Sequence, residues 1–180
     1  NCAMKFLYSD TQDYVDPNYD FLNDRSAPTR ERYWDDLYAH EIMRTPPYDG
    51  LLVAMSAVRQ AEGVATSKVR YSTSEEQRFL RVGARKFLRL DGPQCRDLMV
   101  MGDCGAFAYA DKAEPAYSPE EVVEFYLDAE FTHGISPDHI IFECNLDNPV
   151  SPESPEAKQR FEITLENARK FIKLVHREGD

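Results

Sequence analysis

Two apolar patterns alternate along the chain. Short continuous runs read as strands: Lys5-Phe6-Leu7-Tyr8-Ser9, Gly50 to Ser56, Leu98 to Met101, and His139 to Cys144. A continuous run of this length predicts a strand buried on both faces, as in a parallel sheet. Between these runs, apolar residues recur at helical spacing. Thr29 to Met43 places Trp34, Leu37, Tyr38 and Ile42 on one face, and Thr45-Pro46-Pro47 stops it. Ser72-Thr73-Ser74-Glu75-Glu76 carries overlapping capping boxes and opens a helix through Phe79, Leu80 and Val82. Ser118-Pro119-Glu120-Glu121 combines an N-cap serine, a proline at the first helical position and a glutamate at the third. Val122, Tyr126 and Ala129 form the inner stripe of that helix, and Gly134 ends it. Ser154-Pro155-Glu156 starts the last helix, where Phe161, Leu165, Ala168, Ile172 and Val175 predict a core face. Lys86 to Leu90 reads as a short strand or an extended connection.

Strand and helix therefore alternate four times, which predicts an α/β fold with a parallel sheet and crossover helices. Four such units are half of an eight-unit barrel, so the expected class is a (β/α)8 TIM-barrel type with its first four or so units present. Met4 reads as the natural start and Asn1-Cys2-Ala3 as an expression remnant. Residues 4–180 then form the N-terminal half of a single barrel domain. A chain of 180 residues can bury roughly 70% of its unfolded surface in one core.

Composition narrows the class. With 42% hydrophobic and 12% aromatic residues the chain is no disordered tail. No apolar run reaches the ~18 residues of a membrane span, and no segment at the N-terminus reads as a signal peptide. Cys2, Cys95, Cys104 and Cys144 form no CxxC pair, which speaks against a zinc site within the chain and for a reducing cytoplasm. Five aspartates at 10, 13, 16, 20 and 24 lack calcium-loop spacing and read as a solvated loop. The net charge of −11 opposes binding to phosphates.

The candidate chemistry lies where strands end. In parallel α/β folds active sites sit at the C-terminal ends of strands. Asp103 follows the run Leu98 to Met101 and stands between Gly102 and Gly105, which would let the backbone turn sharply beside a ligand. Glu143 holds the equivalent place after Ile140-Ile141-Phe142, so two carboxylates would converge on one mouth and divide proton transfer from recognition. Asp147 is the alternative second carboxylate. The plainer reading of Asp103 is a carboxylate that only binds its own turn's amides. His40, His133, His139 and His176 pair with no nucleophile in sequence and read as structural.

Gly102-Asp103-Cys104-Gly105-Ala106-Phe107, then Ser118-Pro119-Glu120-Glu121, then Ile141-Phe142-Glu143-Cys144 resemble, in order, motifs of the tRNA-guanine transglycosylase superfamily. The opening MKFLYSDTQDYVDPNYDF and the segment SPDHIIFECN are similar to the DpdA-like branch, which places 7-deazaguanine bases in DNA rather than tRNA. The resemblance implies a (β/α)8 barrel that exchanges guanine for a deazaguanine such as 7-cyano-7-deazaguanine through a covalent glycosyl-enzyme intermediate. It implies a catalytic role for Asp103 in proton transfer or positioning. It also implies substrate contacts from Glu143, Cys104, Gly105 and Phe107, with Asp147 kept from the reading above as a further candidate contact. DNA is the implied partner, with tRNA as the alternative. Cys104 stands where the family has Ser, Ala106 where it has Gly, and Ala108 where it has Gln. The family's nucleophilic Asp and zinc-binding cysteines belong to the second half of the barrel, and no residue here matches them.

Two other readings compete. A different two-carboxylate barrel enzyme, such as a glycoside hydrolase, would use the same strand ends. A non-catalytic half-barrel module would expose two open strand edges and form a homodimer through them.

Overall fold

The computed structural model describes residues 3–143 and 154–178. Four strands, β1 (Leu7–Ser9), β2 (Gly50–Ala54), β3 (Met99–Asp103) and β4 (His133–Gly134), form one sheet in sequential order. All three pairings are parallel. A doubly wound sheet reverses its strand order at a switch point; these four strands do not, as in a stretch of barrel wall.

The crossovers are helical. After β1 come two single turns, α1 (Arg32–Asp35) and α2 (Ala39–Ile42). After β2 come α3 (Met55–Val58), α4 (Thr73–Val82) and α5 (Ala84–Phe87). α6 (Pro119–Asp128) follows β3, and α7 (Pro155–Glu178) follows β4. Both serines read from sequence as N-caps act as such, though at Ser72 the expected capping box lacks its reciprocal bond, because the Glu75 carboxylate takes the Ser72 hydroxyl instead of the amide. Ser72 accepts from the Glu75 amide at 3.2 Å, and Ser118 exchanges bonds with Glu121 in a complete capping box. No helix among the described residues is long and apolar enough to cross a membrane.

Leu51 and Val53 of β2 and Val100 of β3 are fully buried beneath the helices, where Tyr71, Phe79, Phe87, Phe125 and Phe131 pack ring against ring. The opposite face, with Leu52, Ala54, Met99, Met101 and Asp103, is only half-buried. The β2 run is thus completely covered on one side rather than on two.

Four other expectations are corrected. The helix expected over Thr29–Met43 is broken at Asp36 to Tyr38. There Leu37 exchanges both backbone bonds with Val15, at 2.9 and 3.0 Å. Buried Asp36 pairs with Arg30, and the Arg89 guanidinium takes the carbonyls of Tyr33 and Asp36. Of its supposed apolar face only Tyr38 is buried. Lys86 to Leu90 is neither strand nor extended, since α5 runs to Phe87 and Arg89 adopts a left-handed φ of 57°.

The fourth strand forms earlier than the apolar run His139 to Cys144. Thr132 and Ile135 donate to Val100 and Gly102, each at 2.9 Å, and so occupy the β3 edge. Gly134 lies in this strand, and α6 ends before it at Asp128. Residues 139–143 are irregular and are tied to α7 instead: the His139 amide donates to Thr164 Oγ1 at 3.0 Å and Arg160 to the Ile140 carbonyl at 2.7 Å. Cys144 lies outside the described residues. On α7 the expected core stripe is mostly outward: Phe161, Leu165, Ile172 and Val175 are 41–55% exposed. The face that packs includes Ala157, Arg160 and Phe171. One apolar row per turn identified a helix but not which row is covered.

Candidate active site

Asp103 is the last residue of β3, half-buried on the more open face of the sheet. Its Oδ2 accepts from the Gly105 amide at 3.2 Å, the turn-capping bond expected of an aspartate after a strand. Gly105 takes a left-handed φ of 79°, and any Cβ there would collide with Ser56 just past β2. Gly102 has another purpose than the sharp turn expected of it. It pairs in register with Gly134 on β4, and the Tyr126 ring covers both glycines where a Cβ would overlap it. Tyr126 Oη then donates to the Ile135 carbonyl at 2.9 Å. The two glycines let an α6 ring press directly onto the sheet, which fixes the strand beneath Asp103.

The turn brings three ligand-type side chains together. Oxygens of Asp103 and Asp138 and the sulfur of Cys104 lie within 4.8 Å of one another. The Cys104 thiol donates to Asp138 Oδ1 at 3.1 Å and lies 3.9 Å from Asp103 Oδ1. Tyr109, buried in the 3-10 turn Ala106–Tyr109, donates to the Asp138 carbonyl at 2.9 Å, with Cys104 Sγ 3.1 Å away. Behind Asp138, buried His139 holds the Lys112 carbonyl through Nε2 at 2.8 Å, and Arg160 bonds the Ala110 carbonyl at 3.0 Å. The loops after β3 and β4 are thereby locked to each other and to α7.

Electrostatics follow from this packing. Burial, then repulsion from Asp138, raises the Asp103 carboxyl above the ordinary carboxylate range. Burial pushes the Cys104 thiol up to about 12, so it is a protonated donor and not a thiolate. Burial likewise raises Tyr109 far above an ordinary phenol. A half-buried carboxyl with a carboxylate neighbour holds a proton readily and can pass it on. Two carboxylates and one thiol are a donor set that can hold a metal ion, and the thiol would give up its proton on binding one.

The sequence-derived candidates divide. Asp103, Cys104 and Gly105 meet at one turn. Phe107 stands beside them with its ring 75% exposed, free of the core. Glu143 is not on a strand, and its carboxylate accepts from the Ser154 amide at 3.0 and 3.2 Å ahead of α7. Asp147 lies outside the described residues. The carboxylate that joins Asp103 is Asp138, which sequence reasoning passed over. Ser136-Pro137-Asp138-His139 follows the Gly134 strand as Gly102-Asp103 ends its own, so a Gly-then-Asp pattern at consecutive strand ends was the available signal. His40 is structural, stacked 5.0 Å from Tyr38 and bonded to Tyr48 Oη at 2.6 Å.

No family model matches the chain. It is similar to a protein named DNA-guanine transglycosylase from Salmonella montevideo, with 36% identity over 173 residues. The aligned part covers 94% of this chain and 39% of that relative, so the chain spans about two fifths of the relative's length. The resemblance first visible in short motifs thus runs along nearly the whole chain, and it supports the transglycosylase family.

Proposed function

We propose that this chain carries the proton-handling site of a transglycosylase that exchanges guanine in DNA for a 7-deazaguanine, as in the DpdA-like branch. The observation that carries the reading is the raised Asp103 carboxyl at a strand end, beside Asp138. The similarity to a DNA-guanine transglycosylase supplies the substrate class.

In this reading a nucleophile outside the described residues attacks the nucleoside C1′, and the bond from C1′ to the guanine nitrogen breaks. The departing base needs a proton, which Asp103 gives. The incoming deazaguanine loses its ring N–H proton to the Asp103 carboxylate as its nitrogen displaces the enzyme from C1′. The proton inventory closes over one cycle, and the covalent intermediate divides one hard displacement into two. Asp138 raises the proton affinity of Asp103, and Cys104 and Tyr109 fix Asp138. The exposed Phe107 ring offers a flat face to a base. A glycoside hydrolase fits less well. Retaining hydrolases hold their carboxyl groups about 5–5.5 Å apart across a sugar, whereas here the Cys104 thiol bonds into the space beside the pair.

The test is incorporation of labelled guanine by the product of the complete gene, with duplex DNA and tRNA offered in parallel. Label is expected in DNA, with Asp103→Asn at least tenfold slower and its thermal melting near that of the parent. Label in tRNA alone would move the substrate. Full activity in Asp103→Asn would remove Asp103 from the chemistry.

A further inference from the structure

The net charge of −11 conflicts with a nucleic-acid substrate unless the cations are gathered in one place. Two adjoining cavities bear on this. One, of about 320 Å³, is lined by Arg32, Tyr33 and Arg70 together with Thr11 and Gln12; the other, of about 630 Å³, by Tyr33, Trp34, Arg78 and Arg81. Tyr33 and Glu75 belong to both, so they form one groove between the loop after β1 and helix α4.

Arg30, Arg59, Arg89 and Arg160 each have a carboxylate within 4.0 Å. Arg32, Arg70, Arg78 and Arg81 have none among the described residues. Arg32 donates to the Gln12 carbonyl at 2.9 Å, and Arg78 lies over the Tyr33 ring at 4.4 Å, which orients both without neutralising them. One carboxylate, Glu75, lines both cavities; it accepts from Ser72 Oγ at 2.9 Å at the start of α4 and has no arginine within 4.0 Å among the described residues. In a chain so rich in carboxylates, four arginines against the one lining carboxylate, Glu75, leave the groove positive and complementary to a polyanion. Beside them Trp34, the chain's single tryptophan, is 74% exposed, its ring edge-on to Tyr33 at 4.7 Å. A solvent-facing indole beside guanidinium groups is the pairing that stacks bases and holds phosphates in single-strand grooves. The groove opens at Thr11 and Gln12, just past β1, at the same end of the sheet as Asp103. Two strand spacings separate β1 from β3, about 10 Å.

We propose that this groove is the track for a DNA strand flanking the exchanged nucleotide, with Trp34 as a stacking platform and Arg32, Arg70, Arg78 and Arg81 as phosphate contacts. The inference rests on the functional reading above, since it supplies the binding surface for that reaction.

The test uses the chain carrying Asp103→Asn, a fluorescein-labelled DNA with a single-stranded flank, and Trp34 emission as reporter. DNA is expected to quench Trp34. Arg70→Gln with Arg81→Gln, both exposed and unbonded, should weaken binding at least fivefold and lower the slope of log affinity against log salt by about 2. Trp34→Ala, which removes the only indole and is therefore read through the fluorescein signal, should weaken binding at least threefold with the salt slope unchanged. DNA binding that leaves Trp34 emission and both variants unaffected overturns the groove and spares the Asp103 site. Quenching by tRNA and not by DNA overturns the choice of partner. No DNA binding, together with no label entering DNA, overturns groove and functional reading alike.

Discussion

Asp10 and Asp103 solve one backbone problem in two surroundings. Each follows or ends a parallel strand, and each turns its carboxylate back onto the amides that come next. Asp10 accepts from Gln12 and Asp13, both at 3.0 Å; Asp103 accepts from Gly105. Burial raises both carboxyls above the ordinary range. A nearby carboxylate pushes each further up, Asp13 at Asp10 and Asp138 at Asp103; at Asp10 the turn amides outweigh it, at Asp103 it outweighs them, and the remaining neighbours differ too. Asp10 is 2% exposed and receives the Tyr38 hydroxyl at 3.3 Å, a donor that satisfies it. Asp103 is more open and faces Asp138, a second acceptor that its ionised form cannot satisfy. A strand-end aspartate with donors around it is a finished structural cap. One whose opposing carboxylate outweighs its donors retains an unmet demand for a proton, and that demand is what chemistry uses.

The comparison breaks most visibly if Asp10 is removed. Asp10→Ala strands the buried Tyr38 hydroxyl and frees the turn amides, so it should cost about 2 kcal/mol of stability in urea unfolding at pH 7. The activity of the folded fraction should stay near that of the parent. Asp103→Asn should show the opposite split. A stable Asp10→Ala protein that has lost exchange activity would put Asp10 among the reacting groups. Tyr38→Phe tests the same cap from its other side. It deletes one donor and leaves Asp10 its two amides, so about 1 kcal/mol is expected; no loss at all would mean that the hydroxyl bond contributes nothing.

The two aspartates were unequally legible in the sequence. Gly102-Asp103-Cys104-Gly105 announced a turn after a strand, and that local signal held because strand and turn are both local. Asp10 was read with four other loop aspartates as solvated. Its burial comes from Tyr38, 28 residues away, which no window around Asp10 contains. Asp138 was missed for the same reason, since its partner sits 34 residues earlier. The N-cap of α4 and the capping box of α6 were legible because a cap is completed within four residues. The outward row of α7 was misread because Phe161 and Phe171 are alike in sequence, and only the packing against Tyr126 selects Phe171. The paired glycines 102 and 134 show the same limit: what fills the space above them, the Tyr126 ring, comes from a different element.

The smallest expected effect is also the sharpest test of the contrast. Burial and the Asp138 charge both raise the Asp103 carboxyl, in that order. Asp138→Asn keeps the size and one acceptor for the Cys104 thiol but removes the charge. The native pKa of Asp103 should then fall, yet stay above the free-aspartate value of about 3.9 because burial remains. If Asp103 must hold a proton to release guanine, activity declines as pH rises through its native pKa. The alkaline limb of a single-turnover profile should therefore move to lower pH in Asp138→Asn. The stability linkage carries the same sign. A carboxyl whose native pKa is raised binds more protons folded than unfolded, so stability falls as pH rises from the unfolded pKa to the native one. Asp138→Asn narrows that window from its upper edge, and stability should level off at a lower pH in urea titrations. An alkaline limb that does not move would show that Asp138 exerts no hold on the proton, leaving Asp103 as much a structural cap as Asp10.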